Sequence, residues 1–261
     1  GIPIEVPAYT IMRQCGSGLQ AIHNAAQQII SGDAEIVVAG GVENMSKAPY
    51  YLRSARYGYG AGNAVLVDSN TESQPRSQPY EVYGDITMGL TAENLAEKYG
   101  ITREESDAFS MQSQERAFAA IESGRFKDEI VPVVIQGKKG EVIFDTDECP
   151  VDTDYDTLAK MRPAFREGGR GTAGNASIIS DGAAAVVLMS REKAKELGFP
   201  VRAVVGAQAS YGIDMKYVLV APIWAIPKCL KKEGIAIKDV DRFEVNEAFS
   251  GSSLAIENEL G

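Results

Sequence analysis

Histidine is almost missing from this chain. Among 261 residues there is one, His23, with one tryptophan and three cysteines, Cys15, Cys149 and Cys229. A single imidazole and three scattered thiols offer no ligand spacing of the kind zinc requires, which sets metal chemistry aside. Three cysteines are also too few for a disulfide framework, and a reduced, cytoplasmic-type compartment is the natural expectation. Positive charge is short too. The 26 Lys and Arg face 36 Asp and Glu, a net charge of −10 that argues against nucleic acid and anionic membrane surfaces as partners. Long apolar runs are lacking: none approaches the ~20 residues needed to cross a bilayer. No charged-then-apolar signal segment opens the chain.

What is present suffices for a real core, since 44% of the residues are hydrophobic. The ends are unusual. Residue 1 is glycine, Ile2 to Thr10 run on without a leader, and Ser250 to Leu260 read as a helix that stops with the chain. The expectation is a processed chain or an internal segment of something longer.

Residues 8–14 are partly apolar and read as extended, leading directly to Cys15. After Gly16-Ser17-Gly18, apolar residues at Leu19, Ile22, Ala26 and Ile29-Ile30 follow the period of an amphipathic helix, ended by Ser31-Gly32. Ala34 to Ala39 reads as a buried strand broken by Gly40-Gly41, which makes a strand–helix–strand unit of the α/β kind. From about 46 to 168 the texture changes. Residues 50–85, rich in Tyr, Gly, Asn and Ser, read as a long loop excursion. Two helices follow, one from Met88 to Tyr99. The other starts at the capping box Thr102-x-x-Glu105, with Ala108, Met111, Phe118 and Ile121 as its apolar positions and Gly124 at its end. Short strands at Ile130–Ile135 and Glu141–Phe144 flank a Gly137–Gly140 turn. The α/β texture returns after Gly168: a turn at Asp181-Gly182, a strand at Ala183–Met189, a helix at Glu192–Leu197, a strand at Arg202–Ala209 and a helix at Trp224–Lys232. Phe243-Glu244-Val245 then leads to a corner at Asn246.

Two corners stand out as candidate chemistry. Helix N-terminal amides and the macrodipole favour a thiolate, so Cys15 is a candidate nucleophile, set against the commoner buried structural cysteine. A nucleophilic cysteine normally works with a base. His23 lies eight residues on, ~12 Å along a helix axis, and does not reach it. Asn246 reads either as a helix cap or as a carboxamide that holds a water or polarises a carbonyl. Thr172 to Ser177 reads either as a turn or as a surface that admits a ligand close to the backbone. The glycines at 58, 60 and 62 follow no expected strand, and the polar run Gln112–Arg116 reads as a solvated helix face.

Six segments together resemble the thiolase family. They are Cys15-Gly16-Ser17-Gly18-Leu19-Gln20-Ala21-Ile22, Val38-Ala39-Gly40-Gly41-Val42-Glu43-Asn44-Met45-Ser46 and Met88-Gly89-Leu90-Thr91-Ala92-Glu93-Asn94. They continue with Thr172-Ala173-Gly174-Asn175-Ala176-Ser177, Ser180-Asp181-Gly182-Ala183-Ala184 and Asn246-Glu247-Ala248-Phe249. The resemblance implies an α/β thiolase fold, layered αβαβα and incomplete, with an inserted loop subdomain. The implied division is 1–45 as part of the N-terminal half, 46–168 as the insertion, 169–200 as the end of that half and 201–261 as the start of the C-terminal half.

The resemblance implies acyl transfer between coenzyme A thioesters: Claisen condensation of two acetyl-CoA to acetoacetyl-CoA and CoA, and the reverse thiolysis. Cys15 would carry the acetyl group, and Asn246 would hold a water in an oxyanion hole. Met88, Phe165, Ala173, Ala176, Ser177, Ala248 and Phe249 would line the substrate. No cofactor is implied beyond CoA thioesters as substrates, and homodimers or homotetramers are expected. Family members also carry a Gly-His-Pro histidine that activates the nucleophile and a second cysteine that takes the α-proton. Neither motif is in these 261 residues. Thr87 stands where short-chain members often have histidine, and Cys149 falls near a common His-Pro. The expectation is therefore a partial chain that does not turn over alone. The alternative is a non-catalytic thiolase-like protein that binds CoA thioesters or a partner. A related ketoacyl synthase, which needs two histidines, fits less well.

Overall fold

The computed structural model describes all 261 residues. In chain order the elements are α1 (Ser17–Ser31), β1 (Ile36–Asn44), β2 (Tyr50–Leu52), β3 (Leu66–Asp68), α2 (Ser69–Arg76), α3 (Tyr80–Tyr83), α4 (Met88–Lys98) and α5 (Arg103–Glu122). They continue with β4 (Val133–Gly137), β5 (Gly140–Phe144), α6 (Tyr155–Lys160), β6 (Asp181–Met189), α7 (Arg191–Leu197), α8 (Pro222–Glu233) and α9 (Ser250–Leu260), with a 3₁₀ segment at Met215–Val220. No helix is long and apolar enough to cross a membrane. The chain forms two compact units. One comprises Gly1–Ala48, Ile179–Ala209 and Lys232–Gly234; the other comprises Pro49–Ile178, Ser210–Lys231 and Ile235–Gly261.

The first unit is built on an antiparallel pair, β1 with β6, in a register from Ile36↔Met189 to Asn44↔Asp181. Helix α1 covers it, burying Ala25 and Ala26 on Ala39 and Leu188, with Ala21, Ile22, Ile29 and Val37 at the margin. Gly32 ends α1 in the left-handed region at φ 81°, where glycine carries no Cβ penalty. The expected break at Gly40-Gly41 does not occur, and β1 runs straight through both residues. At Gly40 a Cβ would overlap the Ala184 carbonyl oxygen of β6, so glycine there fits the ladder, whereas a Cβ at Gly41 would meet the Gly18 Cα at an ordinary 3.8 Å. The expected Asp181-Gly182 turn is likewise absent, because both residues pair within β6.

Two expected extended segments are not strands. Residues 8–14 and 202–209 join no ladder, because β1 and β6 have only each other as partners in their sheet. Apolar side chains there stay in solvent, with Val204 67% exposed.

Asp181 locks the open end of the ladder by accepting the Ser46 N–H at 2.9 Å. That bond, ahead of the opposing effect of desolvation, holds its carboxyl below the ordinary aspartate value of 3.8. A carboxylate depressed on folding contributes stability above its unfolded pKa and loses it as pH falls through the lower folded value. Glu105 and Glu192 are depressed chiefly by backbone N–H bonds as well, Asp154 by the Thr157 hydroxyl and then its N–H, and Glu72 by the Arg53 guanidinium and the Tyr51 hydroxyl. In thermal melts run from neutral pH to pH 2, Asp181→Asn should therefore melt lower than the native chain at neutral pH, with the gap closing below about pH 4. A gap of constant size across that range would rule out the Asp181 contribution.

The second unit is mainly helical. Leu95 of α4, Val220 of the 3₁₀ segment and Ala255 and Ile256 of α9 form its apolar centre, with Tyr99, Ile213, Tyr217, Leu219, Ile223, Val245 and Leu260 around it. Residues 50–85 do not form a bare loop: they fold as the β2–β3 hairpin, with Tyr51 opposite Val67, followed by α2 and α3. The Thr102 capping box forms as expected at the head of α5. Of its expected apolar positions Met111, Phe118 and Ile121 are half-buried but Ala108 is exposed, and the residues that α5 buries fully are Ser106, Asp107 and Ser110. The β4–β5 hairpin forms around a Lys138-Lys139 turn, with every residue of both strands exposed. Phe243-Glu244-Val245 is not a strand either, and α9 begins only at Ser250.

Candidate active site

In the first unit, Cys15 is exposed and free, directly before Gly16, the residue that precedes α1. Gly16 brings no capping side chain and the first turn holds no carboxylate, so the positive helix head carries no competing anion of its own. The turn that presents the thiol is unusual. Gln14 has φ 50°, the left-handed region that non-glycine residues rarely occupy outside constrained sites. Ser17 holds it there: its hydroxyl accepts the Arg13 N–H at 2.8 Å and donates to the Gln14 carbonyl at 2.7 Å. The Ser17 and Gly16 amides close on the carbonyls of Gln14 and Arg13 at 3.0 and 3.1 Å. The Arg13 guanidinium also donates to the Gln20 side chain. Neither Gln14 nor Ser17 was a candidate from sequence, although Ser17 sits in the Gly-Ser-Gly segment.

His23 and Cys149 sit in surroundings that change their protonation. Burial first, then the charges of Arg13 and Lys232, push the His23 imidazole below its ordinary value, which makes it neutral at pH 7. For Cys149, burial and then Asp147 push the thiol up, so it stays protonated at neutral pH.

The second unit gathers most of the expected substrate-lining residues. Ala176 and Phe249 form an antiparallel bridge, and the Ser177 N–H donates to the Ala248 carbonyl at 3.0 Å. The rings of Phe165 and Phe249 meet edge-to-face with centroids 5.6 Å apart. Phe165 also lies flush against Gly89, where no Cβ would fit, beside Met88 at the start of α4. Ala173 is exposed on the loop before the bridge, and Asn246 is exposed in the turn before α9. Asn246 is not a helix cap. Phe249 occupies the cap position of α9, without a side-chain acceptor.

Buried polar groups hold these loops. Glu93 of α4, 1% exposed, accepts the N–H groups of Arg170 and Gly171 at 2.9 and 2.7 Å. Asp107 of α5, also 1% exposed, pairs with Arg103 at 2.7 Å and accepts the Asn175 amide at 2.9 Å. The Asn175 side chain in turn accepts the Thr172 N–H at 2.8 Å, and its backbone carbonyl accepts the Ser250 N–H at 3.1 Å. One helical turn beyond Asp107, Ser110 bonds Ser250 at 2.7 Å. A further turn on, Ser113 donates to the Glu247 carboxylate at 2.6 Å. The expectation of a solvated face over Gln112–Arg116 therefore fails at Ser113. Phe109, Ser110, Ser113, Gln114, Gly174, Asn175, Ala176, Glu247 and Ser250 line a shallow depression over this seam. No cluster of three or more His, Cys, Asp or Glu side chains is gathered as a metal cage.

Comparison with known proteins decides the family. Residues 1–192 match the "Thiolase, N-terminal domain" and residues 199–261 the "Thiolase, C-terminal domain". The chain belongs to the thiolase family. Among curated thiolase relatives, an acetyl-CoA acetyltransferase of Pseudomonas aeruginosa is 52% identical over all of this chain and 66% of its own length. Among solved structures, the Bacillus anthracis acetyl-CoA acetyltransferase superposes with a TM-score of 0.93 at 45% identity, covering 99% of this chain and 64% of that one. The human mitochondrial 3-ketoacyl-CoA thiolase in complex with CoA superposes with a TM-score of 0.91 at 41% identity, over 100% of this chain and 64% of that one. The fold is thus the α/β thiolase fold, and the chain spans just under two thirds of the relatives it matches.

Proposed function

We propose that the protein is a thiolase-type acyltransferase, an acetyl-CoA C-acetyltransferase that interconverts two acetyl-CoA with acetoacetyl-CoA and CoA. The observation that carries this reading is Cys15 itself: exposed, free, and set by a constrained turn at an uncapped helix head. Its thiolate attacks the thioester carbonyl of acetyl-CoA; the new S–C bond forms as the bond to the CoA sulfur breaks, and CoA leaves as the thiolate and is protonated. In the second half, a base outside these residues, the second cysteine that the family resemblance implies, takes the α-proton of another acetyl-CoA. The resulting carbanion attacks the acetyl-cysteine carbonyl, the C–C bond forms as the C–S bond breaks, and Cys15 leaves as the thiolate. We assign Asn246 to hold the water that stabilises the oxyanion, and Met88, Phe165, Ala173, Ala176, Ser177, Ala248 and Phe249 to line the acyl-CoA. The names of the relatives support acetyl-CoA and CoA as ligands; acetoacetyl-CoA is the product of the proposed condensation, and the reading calls for no cofactor beyond these thioesters.

The reading extends to a cytoplasmic homodimer or homotetramer acting in fatty acid metabolism; the scarcity of cysteine supports the reduced compartment, and the oligomer and the metabolic role follow from the family resemblance. It also keeps residues 46–168 as the loop insertion of the N-terminal half, resumed at 169–200, with 1–45 before it and the C-terminal half starting at 201.

Within these residues no base accompanies Cys15, because the only histidine lies two turns up α1. General-base help contributes ~10²–10⁴ in rate, so full turnover is not expected of this chain alone, whereas slow acetylation is. Incubation with acetyl-CoA followed by peptide mass spectrometry should find a thioester on Cys15, with Cys149 unmodified. Absence of label at saturating acetyl-CoA, or equal label on Cys149, would sink the assignment and favour a binding protein without catalysis.

A further inference from the structure

We infer that helix α5 acts as a jig for the acyl-CoA site, with Ser110 and Ser113 as positioning residues alongside Asp107. This deepens the proposed function and rests on its assignment of 172–177 and 246–249 to substrate lining. The geometry is periodic. Asp107, Ser110 and Ser113 follow at three-residue steps along one face of α5, and each is bonded to a different part of the two loops. Asp107 fixes Asn175, and through it the Thr172 N–H. Ser110 fixes Ser250, the first residue of α9, and Ser113 fixes Glu247, the neighbour of Asn246. Between these anchors the loops bond to each other, through Ser177 N–H to Ala248 and Ser250 N–H to Asn175, while Glu93 of α4 holds the first loop only at its root, at the Arg170 and Gly171 N–H groups. The α5 face therefore sets where the paired loops sit, and with them the Asn246 carboxamide and the Ala176, Ser177 and Ala248 backbone. None of the three touches substrate in this scheme; they act through Asn175, Ser250 and Glu247.

The test uses the 261-residue chain, with CoA itself as the titrated probe and amide hydrogen exchange as a second readout. The double variant Ser110→Ala, Ser113→Ala removes two hydroxyls without adding bulk. It should weaken CoA binding by on the order of tenfold while leaving the urea midpoint within a few tenths of a molar. Exchange should quicken at the amides of Ser177 and Ser250. Glu247→Ala should behave like Ser113→Ala, and Glu247→Gln, whose amide oxygen still accepts from Ser113, should restore binding; a purely structural role would show no such rescue at constant midpoint. Native-like affinity and exchange in the double variant would overturn the inference. If the native chain binds no CoA, the functional assignment falls, and exchange at Ser177 and Ser250 alone decides: quickened, the jig stands; unchanged, it fails.

Discussion

Asp107→Ala should cost the second unit about 3 kcal/mol of stability, read as a fall in the urea midpoint without a change in slope. The carboxylate is almost fully buried and serves two partners at once, the Arg103 guanidinium and the Asn175 amide. Deleting one member of a buried charge pair strands the other, which costs ~3–5 kcal/mol when nothing else receives it. Here the loss is cushioned. Arg103 is 19% exposed and still donates to the carbonyls of Leu158 and Met161, and Asn175 still donates to the Arg170 carbonyl. The low end of the range is therefore expected. A loss below about 1 kcal/mol would mean that water enters and replaces the carboxylate, contrary to its burial.

Leu95→Ala should be comparably damaging, at ~2–5 kcal/mol. Leu95 has no exposed surface and sits where α4, α9 and the 3₁₀ segment converge, against Val220, Ala255 and Ile256. Two of the neighbours that would have to collapse into the cavity are small or stiff, an alanine and a β-branched valine, so the void should persist. Thermal melts of this variant, set beside Asp107→Ala, separate apolar from polar support of one unit. A loss under about 1 kcal/mol for Leu95→Ala would show that α4 repacks freely.

Local chemistry was legible in the sequence wherever it was enough to settle the structure. The Thr102–Glu105 capping box, the Gly32 stop of α1 and the Lys138-Lys139 hairpin turn all depend on neighbours a few residues apart. The errors came where distant partners decide. Gly40-Gly41 read as a break because glycine usually interrupts a strand, but here Gly40 makes room for the Ala184 carbonyl of the paired strand. Residues 202–209 have strand-forming side chains, yet a strand exists only with a partner to bond. On α5 the apolar pattern pointed to Ala108, whereas the helix turns its serines and Asp107 inward. Of the candidate site, the cysteine at a glycine-flanked helix head and the Asn-Glu-Ala-Phe segment were visible as motifs. The anchors beneath them were not, since Asp107 meets Asn175 across 68 residues and Ser110 meets Ser250 across 140.

The polar seam between α5 and α9 also has a thermal consequence. Unfolding raises heat capacity by exposing apolar surface, and exposing polar surface lowers it. Ser110 meets Ser250 and Ser106 lies against Gly251 across that seam, and the other buried residues of the two helices there include Asp107, Ser252 and Ser253, so its opening releases much hydroxyl, carboxylate and backbone surface. Opening the seam therefore carries a smaller heat-capacity change than opening the Leu95 cluster beside it, whose stability curve bends more strongly with temperature. Cooling weakens apolar packing, so the part of the grip that rests on polar bonds is the less exposed to that loss.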